Sequence, residues 1–163
     1  MNPVWCGIIP DIAYILEVFL LIIMVIILRK KCIELKELRK SNEAKMDIIR
    51  LYSCWLEMKQ RGFYLGAKLR EDGYKSIAIY GLGFIGESLF EELKDSEIDV
   101  RFIIEQRQEK AFNEATVVLP EEYTGGVDLV IVTVTYAFED IKRNLTKNAD
   151  VPVVSIEDVI YKT

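Results

Sequence analysis

Gly81, Gly83 and Gly86 are spaced as G-x-G-x-x-G, directly after the apolar run Ile77-Ala-Ile-Tyr80 and before a stretch of helical spacing, Glu87 to Leu93. Residues of these types in this order form the phosphate-cradling turn of a dinucleotide site. Gly81 permits the tight turn, Gly83 lets the backbone approach a pyrophosphate, and Gly86 lets the helix pack closely on the strand. The free N–H groups at the helix start, at Phe84 and Ile85, then meet the anion. Nine glycines in 163 residues make chance spacings easy, so the context decides how much the triplet means. A second strand, Val100 to Ile104, ends at Glu105, about where an acid accepts hydrogen bonds from a ribose diol. Glu105 favours an unphosphorylated ribose, while nearby Arg107 leaves room for a 2′-phosphate. The alternative is that the glycines only solve a packing problem in a fold that has lost its ligand.

The elements that position these residues alternate along the chain. Thr116 to Leu119 reads as a short strand, Leu129 to Val134 as a β-branched buried strand, Phe138 to Leu145 as a helix and Val151 to Ser155 as a final strand. Ser155-Ile-Glu-Asp158 has the pattern of an N-cap for a last short helix. Strands alternating with helices predict an α/β, Rossmann-like parallel sheet of about five strands in the order 3-2-1-4-5. Ligands of such sheets sit beyond the carboxyl ends of the strands, which places Thr133, Thr135 and Tyr136 beside the glycine turn. Their hydroxyls either line the pocket or cap the helix that follows.

Upstream lies a different kind of sequence. Ile12 to Leu28 is an almost unbroken apolar run followed at once by Arg29-Lys30-Lys31, the pattern of a transmembrane helix. Glu17 within it costs up to about 3 kcal/mol at mid-bilayer, and the Leu, Ile, Phe and Val residues around it offset that cost. A cleaved signal peptide would carry its basic residues before the apolar run and small residues after it, and this chain has neither. Residues 1–11 contain no Lys or Arg, whereas Arg29, Lys30, Lys31, Lys36, Arg39, Lys40 and Lys45 crowd the other flank. The positive-inside rule therefore places a short N-terminus outside and the remainder in the cytoplasm, as a single-pass protein of the plasma membrane. Trp5 and Tyr14 suit the outer interface. Cys32, next to the membrane and to basic residues, is an acylation candidate or an ordinary thiol.

Residues 29–60 read as a helical stalk, rich in Glu, Lys, Leu and Arg and free of Gly and Pro from Cys32 onward. Its first half is charged on most faces. Its second half gathers Ile48, Ile49, Tyr52, Trp55, Leu56 and Met58, to pack on the domain or to pair with another protomer. A heptad pattern breaks at Asn42 and Lys45, so a long coiled coil is not expected. Gly62 interrupts the helix, Phe63 to Glu71 forms a short helix with Leu65 and Leu69 inward, and Gly73 closes it. The Rossmann-like domain is expected over residues 61–163.

Net charge is -5, which argues against nucleic acid as a partner. The chain has no histidine, and Cys6, Cys32 and Cys54 lack metal-ligand spacing, so neither a zinc site nor a histidine-based catalytic constellation is expected. Tyr64 and Lys68 match the Tyr-x-x-x-Lys of short-chain dehydrogenases but precede the glycine turn instead of following it. Carboxylate pairs such as Glu91-Glu92, Glu121-Glu122 and Glu139-Asp140 read as solvated faces. With only about eight residues after the last strand there is no room for a substrate domain, so stand-alone catalysis is not expected.

Four segments, Trp55 to Gly62, Gly73 to Leu93, Val130 to Ile141 and Ser155 to Ile160, resemble a family of small bacterial Rossmann-like domains. That family occurs near capsule and exopolysaccharide genes or fused to glycosyltransferases, and the resemblance runs from Trp55 to the C-terminus. More distantly, the chain is similar to the amino-terminal domain of sugar O-acyltransferases and to membrane nucleotide-sugar dehydratases. Family members often carry Asp where this chain has Glu105, one methylene longer. The resemblance implies NAD(P) or a nucleotide-sugar as ligand and a role accessory to surface polysaccharide synthesis. Two further readings stand beside it. One is an NAD(P)-dependent sugar-nucleotide enzyme completed by a homodimer or a partner chain; the other is a ligand-free scaffold whose stalk recruits a glycosyltransferase.

Overall fold

The computed structural model describes residues 5–106 and 115–162, with side chains described from Tyr14 onward. Its elements in order are α1 (Trp5–Gln60), α2 (Leu65–Glu71), β1 (Ser76–Tyr80), α3 (Phe84–Leu93), β2 (Asp99–Ile104) and β3 (Thr116–Val118). They continue with β4 (Leu129–Val132), a 3-10 turn (Thr135–Ala137), α4 (Phe138–Asn148), β5 (Val153–Ser155) and α5 (Ile156–Tyr161). The five strands form one parallel sheet in the order β3-β2-β1-β4-β5, as the alternation of elements predicts. Three strands are shorter than the sequence suggests: β3 stops at Val118, β4 stops at Val132, where Thr133 turns to bond the neighbouring strand, and β5 starts only at Val153.

The central strands β1 and β4 are buried along their whole length, as parallel strands covered on both faces must be. Their side chains alternate between two cores with a period of two. Ile77 and Ile79 of β1 and Leu129 and Ile131 of β4 join Leu65, Leu89, Leu93 and Ile156 on one face. Ala78, Tyr80, Val130 and Val132 face the other way, against Tyr123, Ile141 and Leu145. On β2 a bulge leaves Arg101 without a β1 partner, since Ile77 pairs Val100 and Ala78 pairs Phe102.

The chain divides into two units, Met1–Asp47 and Ile48–Thr163. The second therefore begins inside α1, ahead of the expected boundary at residue 61. Leu51 and Trp55 are the reason: they are 1% and 4% exposed and belong to the same core as Leu65 and Ile77. Both short helix ends upstream of the sheet close in Schellman geometry on a glycine with positive φ. At Gly62 the N–H of Phe63 reaches Met58 O (3.0 Å), and at Gly73 the N–H of Tyr74 reaches Leu69 O (3.0 Å).

Within the first unit, the described side chains from Tyr14 to Leu28 are all exposed. Among the described residues no helix is long and apolar enough to cross a membrane. The expected span starts at Ile12, and Ile12 and Ala13 lie outside the described side chains; a stretch of about 20 residues counted from Tyr14 takes in Glu17 and Arg29-Lys30-Lys31.

Two carboxylates stitch the second unit together at the amino-end of the sheet and behind α3. Glu92 is not a solvated residue: its side chain is 4% exposed. It accepts hydrogen bonds from Trp55 Nε1 (2.5 Å) and from the backbone N–H of Leu65 (2.8 Å), and it pairs with Lys59 (3.2 Å). A residue of α3 thus caps α2, whose own N-cap residue, Tyr64, supplies no side-chain bond. Its neighbour Glu91 does stay on the exposed face, paired with Lys94. Asp128 Oδ2, just before β4, accepts from the N–H groups of Lys75 (2.9 Å) and Ser76 (2.8 Å) and from Ser76 Oγ (3.1 Å) at the start of β1. Those donors hold the Asp128 carboxyl below its ordinary range, with Arg101 nearby acting the same way. A depressed carboxyl pKa stabilises the fold above the unfolded value of about 3.9 and loses that contribution as pH falls through the folded value. The stability advantage of the native chain over Asp128→Asn is therefore expected to be full at pH 7 and to shrink below about pH 4; urea unfolding at both pH values measures it.

Candidate functional site

The carboxyl ends of β1, β2 and β4 meet at the point where the strand order reverses, and a cleft of about 400 Å³ opens there. That volume lies at the small end of the range for small-molecule sites. Its lining comes from Tyr80, Gly81, Leu82, Gly83, Glu105, Gln106, Val134, Tyr136, Ala137 and Ile141. A hollow of about 680 Å³ near the C-terminal end of α3 is larger; five carboxylates line it, and Glu92, the buried one, is already engaged by Trp55, Leu65 and Lys59.

The three glycines of the turn have three different reasons to be glycine. Gly81 has φ +93°, and a Cβ there would lie 2.6 Å from a Val134 methyl and 2.9 Å from Thr133 Oγ1. At Gly86 a Cβ would lie 2.0 Å from the carbonyl oxygen of Gly81, so α3 can start this close to β1 only without a side chain. Gly83 is unlike both. Its φ of -81° suits any residue, and a Cβ there would meet nothing within 4 Å. Two of the glycines are required by the fold, and the third faces open space.

Gly83 is the N-cap of α3, and no side chain caps that turn. The N–H groups of Phe84 and Ile85 have no carbonyl of their own helix ahead of them. Phe84, Ile85 and Gly86 follow Gly83 in the chain but are not among the residues that line the cleft, and the Ile85 side chain belongs to the core. Phe84 is 85% exposed and Tyr136 is 90% exposed, two aromatic rings left in solvent at the helix start and at the cleft wall.

Glu105 is where the sequence places it, at the end of β2, but it is not idle. Its Oε2 accepts from the N–H of Leu82 in the glycine turn (2.8 Å) and its Oε1 from the N–H of Gln106 (2.8 Å). Arg107 lies outside the described residues. No Lys or Arg appears among the cleft's described lining.

Thr133 neither lines the cleft nor caps a helix. It is 6% exposed, and its Oγ1 lies 3.0 Å from Tyr80 O and 2.9 Å from Gly81 O, clamping the turn onto β1. Thr135 lies in the 3-10 turn and faces a neighbouring cleft of about 380 Å³, along with Glu139, Asp140, Ser155, Glu157 and Asp158. Tyr136 borders both clefts. No side chain caps α4, whose N-cap is Ala137. Lys68 pairs with Asp72, and neither it nor Tyr64 borders the glycine-turn cleft.

Sequence reading passed over Tyr80 and Gln106, although Tyr80, as the last residue of β1, occupies a carboxyl-end position. Burial pushes the Tyr80 phenol up; a side-chain hydrogen bond to Gln106 opposes this, and Glu105 and Glu121 add to it. The phenol therefore stays protonated at neutral pH, as a donor beside the turn. Among the described residues no cluster of Cys, Asp and Glu side chains is arranged to hold a metal ion. No protein-family model matches the chain, and no curated protein matches it.

Substitutions at the two inner and outer glycines are expected to separate. Gly86→Ala should cost at least about 1–3 kcal/mol by overpacking, and Gly83→Ser, which keeps a favourable N-cap residue, should stay within about 0.5 kcal/mol of the native chain. Equal losses in urea unfolding would contradict the assignment of open space to Gly83.

Proposed function

We propose that residues 48–163 bind a nucleotide or nucleotide-sugar at the glycine turn, as a module tethered to the cytoplasmic face of a membrane and accessory to surface polysaccharide synthesis. One observation carries the binding reading: neither φ nor packing requires glycine at position 83, yet it lies where a diphosphate would need the bare backbone. The uncapped N–H groups of Phe84 and Ile85 supply donors for the phosphates. Glu105, held in place by Leu82 and Gln106, is set to accept from a sugar diol, and the exposed rings of Phe84 and Tyr136 offer flat apolar surface to a base. The polysaccharide context rests on the resemblance of Gly73 to Leu93 and Val130 to Ile141 to the capsule-associated domains.

The tether is supported by side chains that, Glu17 apart, are apolar around α1 between Tyr14 and Leu28 and by the basic residues that follow them. Cys32 is exposed and sits just beyond that run. In a Cys6→Ser, Cys54→Ala background a membrane-impermeant maleimide should label Cys32 only after the cells are opened; labelling of Cys32 in intact cells would reverse the topology.

Binding is tested with the full chain in mild detergent, titrated in a calorimeter with NAD, NADP, UDP-sugars and CoA. NAD or a UDP-sugar should bind, and Gly83→Trp should weaken that binding by tenfold or more, about 1.4 kcal/mol, without lowering the unfolding midpoint. A folded native chain that binds none of these would favour the scaffold reading.

A further inference from the structure

Ser88, in the second turn of α3, donates its hydroxyl proton to the carbonyl oxygen of Phe84, 2.8 Å away. Tyr52, in the part of α1 that belongs to the second unit, lies with its phenol 3.1 Å from the same Ser88 oxygen. A serine hydroxyl has one proton, and Phe84 takes it, so the Tyr52 phenol is the donor in that contact. The chain of bonds therefore has one direction, from Tyr52 O–H to Ser88 Oγ and from Ser88 O–H to Phe84 O. Packing does not require the phenol: the Tyr52 ring stacks on Trp55 at 6.0 Å and 9°, and a phenylalanine ring would do the same.

The Phe84 carbonyl is one end of a peptide unit whose other end is the Ile85 N–H, and resonance joins the two ends. A proton held against the oxygen draws electron density from the nitrogen and makes its N–H the stronger donor, as in any chain of hydrogen bonds that run the same way. Ile85 N–H is one of the two donors at the start of α3. We infer, on the nucleotide reading above, that Tyr52 is a positioning residue for the phosphate: it acts through Ser88 to hold and polarise the Phe84–Ile85 peptide, and neither side chain borders the cleft itself. Coupling of this kind is reciprocal. A phosphate on Ile85 N–H makes Phe84 O more negative and strengthens both bonds behind it, so an occupied turn grips the Tyr52 segment of α1 more firmly than an empty one.

The test is calorimetric titration of NAD and a UDP-sugar into the full chain in mild detergent, beside the amide resonance of Ile85 in the nucleotide-free chain isotope-labelled at isoleucine. Tyr52→Phe should weaken binding about threefold, and Ser88→Ala at least as much. The double variant should bind like Ser88→Ala alone, because Tyr52 has no other route to the ligand. Ser88→Thr, which keeps the hydroxyl, should bind more tightly than Ser88→Ala. Without nucleotide, Tyr52→Phe and Ser88→Ala should each move the Ile85 amide proton upfield, the sign of a less polarised donor. A native chain that binds while Tyr52→Phe binds equally well, or additive losses with the Ile85 resonance unmoved, would overturn this inference alone. A native chain that binds neither ligand would overturn the nucleotide reading and this inference with it.

Discussion

The architecture of this domain depends on how closely α3 approaches β1. The carbonyl of Gly81 lies where a side chain on Gly86 would have to be, and Thr133 holds the same turn from the β4 side with one hydroxyl near two carbonyls. That contact fixes the start of α3 at the carboxyl end of the central strand. Everything downstream along the helix is then placed by its 1.5 Å rise per residue: Ser88 reaches Tyr52 of α1, and Glu92 reaches Trp55 and the start of α2. The same contact therefore shapes the cleft and anchors the end of the long helix.

Acidic side chains do much of the stitching, in a chain whose net charge is -5. Glu92, Glu105 and Asp128 each accept backbone N–H groups from a different element: α2, the glycine turn and β1. Charge-assisted bonds of this kind are stronger than neutral ones. They also have a consequence for chemistry, because Glu105 already occupies the Leu82 N–H. On the proposed nucleotide reading, a phosphate would be left with the N–H groups of Phe84 and Ile85 at the helix start, which would orient the ligand with its diol toward β2 and its phosphate toward α3.

In the second unit α1 has two working faces. Leu51 and Trp55 bury one of them in the domain core, and Ile49 and Leu56 leave the other open.

The order of the sheet, the near-complete burial of β1 and β4 and the helical readings of α3, α4 and α5 follow from period and turn chemistry alone, because local pattern sets them. So does the N-cap at Ser155, whose hydroxyl accepts from Glu157. Local pattern could not separate Glu91 from Glu92, adjacent and chemically alike, since only the arrival of Trp55 and Leu65 buries one of them. Nor could it assign Ile48 to Gln60 to the domain, because Leu51 becomes core only when the sheet is there to cover it. The site divides in the same way. Sequence placed Glu105 and the glycine turn at one end of the sheet, since strand order and chain spacing determine that. Only the tertiary structure decided that Thr133 is a clamp, that Glu105 is tied to the turn, and that of three identical glycines just one is free to serve a ligand: a glycine's necessity is set by the atoms opposite its missing side chain, and those come from elsewhere in the chain.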